Sequence, residues 1–343
     1  MAANDDIGID LGTANTLIYM KGKGIVLREP SVMAVDVDTN TVMAIGSEAY
    51  RMIGRTPRNM AIIYPLKDGT ITDFRSTEKM LHYFVRNVVG KRMFGKPACI
   101  MCLPAGATEM ERRSLITSLM DASVRSTRLL DKPLASALGA GLDIEGVYGS
   151  LICDIGGGVT DISVISMGHV IVGSSVKNGG YYFDDAIIRH LRLKHNLLIG
   201  ERTAEELKIH IGAAVPRPET LYMEVTGRHL VYGLPKTMRI TSEDIQEALE
   251  EPVSQLIESI HAVLEHTPAE LASDIFEDGI TLTGAGSLLF GLEEAVADTL
   301  KIPCKVAEDP ASATVMGAGM VLENMGKLSK YLGDGRTRNF TQV

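Results

Sequence analysis

Two glycine turns of the same design, one in each half of the chain, constrain its fold more than any other feature. Each follows an apolar run that ends in a single carboxylate, Asp10 in the first copy and Asp154 in the second, and each leads into another apolar run. The pattern predicts strand, tight turn and strand, with N–H groups at the turn free to bind an anion, most often phosphate. Two matched turns therefore predict two related halves that hold one ligand between them.

The residues of these turns are the first candidate ligands. Asp154 ends a buried run, where its carboxylate is placed to hold a metal ion or a metal-bound water beside the phosphate. Asp10 occupies the matching place in the first copy. The turns themselves supply Gly12, Thr13, Ala14 and Asn15 from the first half and Gly156, Gly157 and Gly158 from the second.

Length and charge narrow the class of protein. The 343 residues are enough for two lobes, each with its own hydrophobic core. The net charge of −9 argues against a nucleic-acid partner, because phosphate backbones are bound by basic surfaces. No apolar run reaches the roughly 18 residues of a membrane span, and Asp5 and Asp6 argue against a signal peptide. The sequence therefore predicts a cytoplasmic protein.

Capping signals predict where three helices begin. Thr108 with Glu111, and Thr241 with Asp244, match the capping-box pattern, in which each side chain satisfies a backbone N–H of the other residue. Ser76 is expected to cap a further helix that continues through Val89.

Two helices rich in small residues are expected to pair. Asp131-Lys132-Pro133 opens the first, residues 134–142, and the second covers residues 310–322. Small side chains let the two backbones pass closely, so the pair is expected to bridge the halves. The turn Gly284–Ser287 is expected to open a helix at Leu288 and to present its amides to an anion or lie flat against a planar base.

Two segments allow two interpretations each. Glu205 and Lys208, three apart on a predicted helix, either form a solvated ion pair or together hold the hydroxyls of a ribose; the residues alone favour the ion pair. Met93 and Phe94 stand at a loop tip flanked by cations. They either insert into an anionic lipid interface or pack beneath the loop, and the residues alone favour packing.

The order of these segments resembles the phosphate-1, connect-1, phosphate-2, adenosine and connect-2 series of the actin, Hsp70 and sugar-kinase superfamily. Four strings resemble the MreB family of bacterial actins more closely. They are Ile-Asp-Leu-Gly-Thr-Ala-Asn-Thr, Gly-Ile-Val-Leu-Arg-Glu-Pro-Ser, Thr-Ala-Glu-Glu-Leu-Lys and Glu-Leu-Ala-Ser-Asp-Ile. The similarity covers nearly the whole length, and the first and third strings are highly specific.

The resemblance implies an α/β actin-like fold, with two RNase H-like lobes built on mixed five-stranded sheets and a small subdomain inserted in each. The implied division gives subdomain IA residues 1–31, 74–148 and 311–332, and subdomain IB residues 32–73. Subdomain IIA takes residues 149–180 and 241–310, subdomain IIB residues 181–240, and residues 333–343 form a disordered tail.

The resemblance also implies ATP or ADP with Mg²⁺ in the central cleft. Asp10 and Asp154 would position the Mg²⁺ and its waters, between phosphate turns formed by Gly12–Asn15 and Gly156–Gly158. The segment Glu205, Glu206, Leu207 and Lys208 would hold the ribose, which reverses the interpretation of that segment from its residues alone. The turn Gly284, Ala285, Gly286 and Ser287 would contact the adenosine.

Family resemblance further implies self-assembly into paired, antiparallel protofilaments on the inner face of the cell membrane. Met93 and Phe94 match the family's membrane-insertion loop, which favours insertion over packing. Met110, on the helix between Glu109 and Asp121, would lie at the contact between protofilaments. Other bacterial actins, or proteins of cell shape and motility, are the further partners implied.

One position departs from the family pattern. Family members usually carry Glu-Glu-Pro where this chain has Asp131-Lys132-Pro133, and the second Glu orients the attacking water at the γ-phosphate. An ammonium cannot accept the water's proton, and Asp131, one position away, is expected to point elsewhere. Loss of a positioned base typically costs ~10²–10⁴-fold in rate, so slow hydrolysis is expected unless Thr160 or Asp161 substitutes.

Two alternatives share the fold. One is a small-molecule kinase or another soluble ATPase; a kinase needs a carboxylate base facing a second substrate, and Lys132 stands where that chemistry would occur. A chaperone ATPase needs a substrate-binding domain, for which few residues remain after residue 322. The sequence therefore favours an ATP-binding filament protein.

Overall fold

The computed structural model of the chain describes residues 5–90, 95–103, 108–122, 124–333 and 341–342. These contain nineteen strands: β1 (Ile7–Leu11), β2 (Asn15–Met20), β3 (Gly24–Pro30), β4 (Met33–Asp36), β5 (Thr41–Ile45), β6 (Met60–Ile63), β7 (Leu66–Lys67), β8 (Thr70–Ile71), β9 (Ala98–Leu103), β10 (Ser126–Asp131), β11 (Ser150–Ile155), β12 (Thr160–Ser166), β13 (His169–Val176), β14 (Leu197–Leu198), β15 (Tyr222–His229), β16 (Pro235–Thr241), β17 (Ile280–Thr283), β18 (Cys304–Val306) and β19 (Thr341–Gln342).

Eleven α-helices accompany the strands in the same described ranges. They are α1 (Ser47–Tyr50), α2 (Phe74–Val89), α3 (Glu109–Asp121), α4 (Lys132–Gly139), α5 (Gly180–His195), α6 (Glu201–Ile211), α7 (Ser242–Glu265), α8 (Ala269–Asp278), α9 (Leu292–Leu300), α10 (Ala313–Glu323) and α11 (Met325–Leu328). None of these helices is both long enough and apolar enough to cross a lipid bilayer.

Two mixed sheets of matching design form the centre of the molecule. The first has strand order β10-β9-β1-β2-β3, and the second has order β18-β17-β11-β12-β13-β19. In each, a buried first strand pairs antiparallel with the strand after the glycine turn and parallel with a later strand. The expected α/β fold on two mixed sheets is therefore observed, with one strand more than expected in the second.

The extra strand is β19, which runs parallel to β13. The expectation of a disordered tail over residues 333–343 does not hold for Thr341–Gln342, since backbone hydrogen bonds to an existing sheet edge order even a two-residue strand. Gly333, at the start of the same stretch, exchanges backbone hydrogen bonds with Leu129.

Smaller sheets extend from the two halves. In chain order, strands β4, β5 and β6 and the pair β7-β8 come between β3 and α2, and strands β14, β15 and β16 come after α5. These segments correspond in sequence to the two predicted insertions. Residues of the first insertion, such as Tyr64 and Leu66, and residues of α5 and α6 in the second, such as Tyr181 and Glu205, line the cleft described below.

Helices α4 and α10 join the two sheets. A Cβ added at Gly139 would lie 1.8 Å from the Ala313 carbonyl oxygen, and one at Gly317 would lie 1.9 Å from the Ala135 carbonyl oxygen. The two backbones are thus in direct contact, which confirms the predicted pairing. Side chains from both helices share one buried cluster with residues of both sheets, such as Ile100 and Ile152.

Most predicted helix starts agree with the structure. Both capping boxes form, with Thr108 accepting from the Glu111 N–H and Thr241 from the Asp244 N–H. The prediction for α2 was wrong: the N-cap is Asp73, whose carboxylate accepts from the N–H of Ser76. Ser76 lies at the third helical position, where it supplies the N–H instead of the capping oxygen.

Candidate functional site

The two glycine turns have the same backbone hydrogen bond. The Gly12 N–H donates to the Asn15 carbonyl at 3.0 Å, and the Gly156 N–H donates to the Val159 carbonyl at 2.9 Å. Each turn joins two strands that carry a buried carboxylate at matching positions, Asp10 and Asp154. The internal similarity predicted from sequence is therefore present in the backbone.

The turns face each other across the gap between the two sheets. A Cβ at Gly157 would lie 2.4 Å from the Cβ of Ala14, and one at Gly158 would lie 2.8 Å from Cγ2 of Thr13. Real Cβ atoms do not approach this closely, so glycine is required in the second turn because the first turn fills the space. The result is a narrow cradle lined by backbone on both sides.

Two adjoining cavities open around this cradle. The inner cavity has a volume of ≈ 210 Å³ and the outer one of ≈ 600 Å³. Both are lined by Thr13 and Gly158, and the inner one also reaches the third glycine turn. The predicted ligands that line the inner cavity are Asp10, Gly12, Thr13, Ala14, Asn15, Lys132, Asp154, Gly156, Gly157, Gly158, Asp161, Glu205, Lys208, Gly284, Ala285 and Gly286.

Lys132 lies among the acidic side chains of the inner cavity. Its Nζ is 3.1 Å from Oδ2 of Asp154 and 3.9 Å from Oδ2 of Asp161, and its side chain is 13% exposed. Burial opposes the ammonium, but the charges of Asp154, Asp10 and Asp161 outweigh burial and raise the pKa of Lys132. Lys132 is therefore a fixed cation in this site at any physiological pH.

The carboxylate of Asp10 has fewer hydrogen-bond and charge partners than the carboxylate of Asp154. Burial, only partly opposed by the Lys132 ammonium, raises the pKa of Asp10 to about 6. Its Oδ1 is buried and accepts no hydrogen bond from any described residue. Asp154, by contrast, accepts from Ser136 Oγ at 3.3 Å as well as from Lys132. An unpartnered buried carboxylate oxygen beside an anion cradle is suited to a cation that arrives with the ligand.

The start of α4 determines which side chain enters the cavity. Asp131 is the N-cap, and its carboxylate is turned to Arg112, with Nη1 3.7 Å from Oδ1. Lys132 begins the helix, and the following Pro133 occupies its first turn, where a missing N–H costs nothing. Asp131 is therefore directed away from the cleft, as expected from its position one residue before Lys132.

Glu205 and Lys208 line the inner cavity but do not pair with each other. Glu205 accepts a hydrogen bond from the Tyr50 hydroxyl. Lys208 lies 2.8 Å from the carboxylate of Asp184 and donates to the Gly180 carbonyl at 2.9 Å. The Glu205 carboxylate and the Lys208 ammonium are thus each held at the cavity wall by a residue that no sequence pattern had indicated.

Besides Asp131, four predicted site residues lie outside the inner cavity. Leu207 is in the hydrophobic core, and Glu206 faces Arg202 at 3.9 Å on the outer side, because helical spacing turns both away from the face of Glu205. Thr160 is fully buried and donates to the Asn178 carbonyl at 2.6 Å. Ser287 donates to the carbonyl of Gly284 and thereby closes its own turn.

The third glycine turn differs from its prediction in shape. Gly284 is followed by a short 3-10 helix, Ala285–Leu288, and α9 begins only at Leu292. Gly284 has φ +79°, and a Cβ there would lie 2.6 Å from Oδ1 of Asp154. The turn is therefore pressed against the second cradle and forms one side of the inner cavity.

Met110, a further predicted site residue, lines neither cavity. Met110, in the first turn of α3, is 71% exposed. Met93 and Phe94 lie outside the described residues.

Three residues of the site were not predicted. Tyr50, Asp184 and Ser136 each bind a predicted ligand, but each comes from an element distant in sequence from its partner. A lone Tyr, Asp or Ser in a helix carries no spacing signal, so only the tertiary structure identifies these three.

Comparison with known proteins gives consistent matches along the chain. The family model described as MreB/Mbl protein matches residues 4–330. The cell shape-determining protein Mbl of Bacillus subtilis (strain 168) is 45% identical over 325 residues, which cover 95% of this chain and 98% of that protein. The cell shape-determining protein MreB of Escherichia coli (strain K12) is 46% identical over 325 residues, covering 93% and 94%.

Solved structures are similar over the same length. MreB5 of Spiroplasma citri bound to ADP has a TM-score of 0.91 at 35% identity, and the match covers 96% of this chain and 99% of that one. The same protein bound to AMPPNP has a TM-score of 0.89 at 36% identity, covering 94% and 97%.

Proposed function

This chain belongs to the MreB/Mbl family of actin-like proteins, and from this premise we propose that it is a cytoskeletal protein that binds ATP and polymerises. The observation that carries the proposal is the pair of glycine turns facing each other across one cavity, with Lys132 in contact with the carboxylates beside them. A triphosphate fits such a cradle, because its oxygens accept from backbone N–H groups on two sides.

The nucleotide is proposed to lie along the inner cavity. Its phosphates face Gly12–Asn15 and Gly156–Gly158, its ribose faces Glu205 and Lys208, and its adenine faces the turn at Gly284–Gly286. The supporting facts are that all of these line one cavity and that the related MreB5 of Spiroplasma citri was solved with ADP and with AMPPNP.

A magnesium ion fits this site together with a nucleotide. Among the described residues, no group of three or more His, Cys, Asp or Glu side chains is arranged to hold a metal ion. The unpartnered Oδ1 of Asp10 is nevertheless a free oxygen ligand, and Mg²⁺ usually binds one or two carboxylates plus substrate phosphates. Asp10 and Asp154 would hold the ion, which when bound would neutralise charge on the phosphates.

Hydrolysis is proposed to be slow. Lys132 projects into the cavity from the position where the family carries a glutamate, and its raised pKa keeps it protonated. It has no lone pair to orient or deprotonate a water. Of the two residues expected as substitutes, Asp161 has its Oδ2 3.9 Å from the Lys132 ammonium, and Thr160 donates its hydroxyl to the Asn178 carbonyl.

The remaining family properties complete the proposal. The chain would divide into four subdomains at the boundaries predicted above and assemble into double protofilaments, with the exposed Met110 at the contact between them. The filaments would lie on the inner, anionic face of the cell membrane through Met93 and Phe94, and govern cell shape or movement with other actins or shape and motility proteins.

Replacing Lys132 by Glu tests the assigned hydrolytic position. We expect Lys132→Glu to raise phosphate release from filaments by roughly tenfold or more, because a positioned base typically contributes ~10²–10⁴-fold. The measurement is phosphate release coupled to sedimentation in ATP and Mg²⁺, with the exposed Lys305→Glu as a charge-matched control. An unchanged rate in filaments of normal yield would remove Lys132 from the hydrolytic position.

A double substitution tests membrane attachment. Met93→Ser with Phe94→Ser should abolish co-sedimentation with anionic liposomes, because the loop loses its apolar side chains, and should leave the yield of filaments without lipid unchanged. Undiminished lipid binding by the double variant would exclude the loop as the anchor.

A small-molecule kinase is the second candidate, favoured by one observation. The outer cavity of ≈ 600 Å³ adjoins the phosphate turns, where a second substrate would lie. Asp161, however, lines the inner cavity, where it faces Lys132, and is not among the residues that line the outer one. Phosphorylation of an added sugar, with no sedimentation in ATP, would favour the kinase.

A further inference from the structure

Three buried carboxylates of the inner cavity face one ammonium. Asp10, Asp154 and Asp161 line the cavity with Lys132, whose Nζ lies within 4 Å of the last two. The other cations that line the same cavity are engaged elsewhere: Arg28 donates to Ser312, and Lys208 binds Asp184 and the Gly180 carbonyl. In the described structure, Lys132 is therefore the cation that compensates these carboxylates.

This charge is attached to the backbone of α4 and cannot be removed by a chelator. The phosphates of a nucleotide that enters the cradle approach these three carboxylates. The repulsion between the negative charges must be offset by a positive charge placed between them. In a site without a lysine, a divalent cation supplies all of that charge. Here Lys132 lies beside the carboxylates and lines the same cavity as the cradle, so part of the charge is present before any metal binds.

We propose that the Lys132 ammonium supplies part of the positive charge that a divalent cation would otherwise supply. Nucleotide binding should therefore depend on Mg²⁺ far less than it would with a neutral residue at this position. The inference rests on the proposed ATP site. It concerns binding of the nucleotide and is independent of the rate of hydrolysis.

The protein without nucleotide provides the first test. Lys132→Met leaves three carboxylates uncompensated, so millimolar Mg²⁺ should raise the melting temperature of this variant by about 2 °C or more while leaving the wild type unchanged. The matched control is Lys194→Met, which also removes a lysine from between two carboxylates, Asp244 and Glu247, but lines neither cavity. Equal Mg²⁺ responses in the wild type and Lys132→Met would overturn the inference.

Nucleotide affinity provides the second test. A fluorescent ATP analogue is titrated into each protein with Mg²⁺ and with excess EDTA. The dissociation constant of the wild type should rise by less than about tenfold on chelation, equivalent to 1.4 kcal/mol, and that of Lys132→Met by clearly more. A wild type that loses affinity as steeply as the variant would contradict the inference, and the wild-type titration alone decides if the variant does not fold.

The two tests separate this inference from the function it rests on. Absence of nucleotide binding both with and without Mg²⁺ would overturn the proposed ATP site. The melting experiment contains no nucleotide, so its result bears on Lys132 and the carboxylates in either case.

Discussion

Two of the contacts between the halves of the molecule differ in chemistry. The helix contact, where α4 meets α10 at Gly139 and Gly317, is apolar and leaves no room for a Cβ. The tyrosine contact, where Tyr50 donates to Glu205 and Tyr64 donates to Glu201 at 3.2 Å, is polar and borders the outer cavity.

The difference indicates which contact can open. Close-packed backbones resist displacement, since any separation leaves a void that neighbouring atoms cannot fill. A hydrogen bond at a cavity wall can be exchanged for water at a net cost of about 1 kcal/mol. We therefore call the helix contact the pivot and the tyrosine contact the latch, and we expect a nucleotide bound at Glu205 to compete with the latch.

The largest effect is expected at the helix contact. Gly317→Ala places a Cβ 1.9 Å from the Ala135 carbonyl oxygen and should lower the free energy of unfolding by about 3 kcal/mol, since overpacking forces the backbones apart. Gly326→Ala, in α11 with open space around it, is the matched control. It should be neutral or stabilise by up to about 1 kcal/mol through helix propensity. The free energy of unfolding of both variants is measured in urea. A change of the same sign in the two variants would contradict a close-packed pivot.

A substitution in the cradle of glycine turns should have an effect nearly as large, but on nucleotide affinity instead of on the free energy of unfolding. Gly157→Ala puts a Cβ 2.4 Å from that of Ala14, which should force the turns apart and weaken nucleotide binding by about 100-fold, or roughly 2.7 kcal/mol. Adding Ala14→Gly moves the free space to the opposite turn and should restore a large part of the affinity. Failure of the double variant to recover, with intact folding by circular dichroism, would mean that the facing turns do not fit together as described.

The smallest effect is expected at the latch. Tyr50→Phe frees Glu205 from its hydrogen bond, so nucleotide affinity should increase by roughly two- to tenfold, the value of one net hydrogen bond. Tyr64→Phe is the control, because it removes the same hydroxyl from Glu201, which is not a proposed ligand. The affinity for ADP is measured by calorimetric titration. Equal changes in affinity for both variants would show that Tyr50 and the ribose do not compete for Glu205.

Local signals account for the parts of the fold that the sequence predicted. The hairpins at Asp10 and Asp154 and the capping boxes at Thr108 and Thr241 depend on neighbours within a few residues, so the chain carries them in short strings. The start of α2 was misplaced because Asp73 and Ser76 are both good capping residues and only the backbone angles distinguish them.

Long-range contacts limited the prediction of the site. The direction of Asp131 followed from its offset to Lys132, but its partner Arg112 on α3 did not. The roles of Tyr50 and Asp184 depend on how the inserted segments fold over the cleft, which no local pattern specifies. Glu206 and Leu207 were grouped with their neighbours by motif, although a helix turns adjacent residues to different sides.

Helix α4 carries Lys132 at one end and Gly139 at the other, so the residue beside the carboxylates and the residue at the pivot belong to the same rigid rod. With a rise of 1.5 Å per residue the rod is about 10 Å long, and swinging it by about 10° around Gly139 would shift the Lys132 backbone by roughly 2 Å. The flexible lysine side chain can follow part of such a shift, and the remainder would change the 3.1 Å distance between Lys132 Nζ and Asp154 Oδ2. A torque between the halves, for instance from neighbours in a polymer, would thus act on the strength of the Lys132–Asp154 pair.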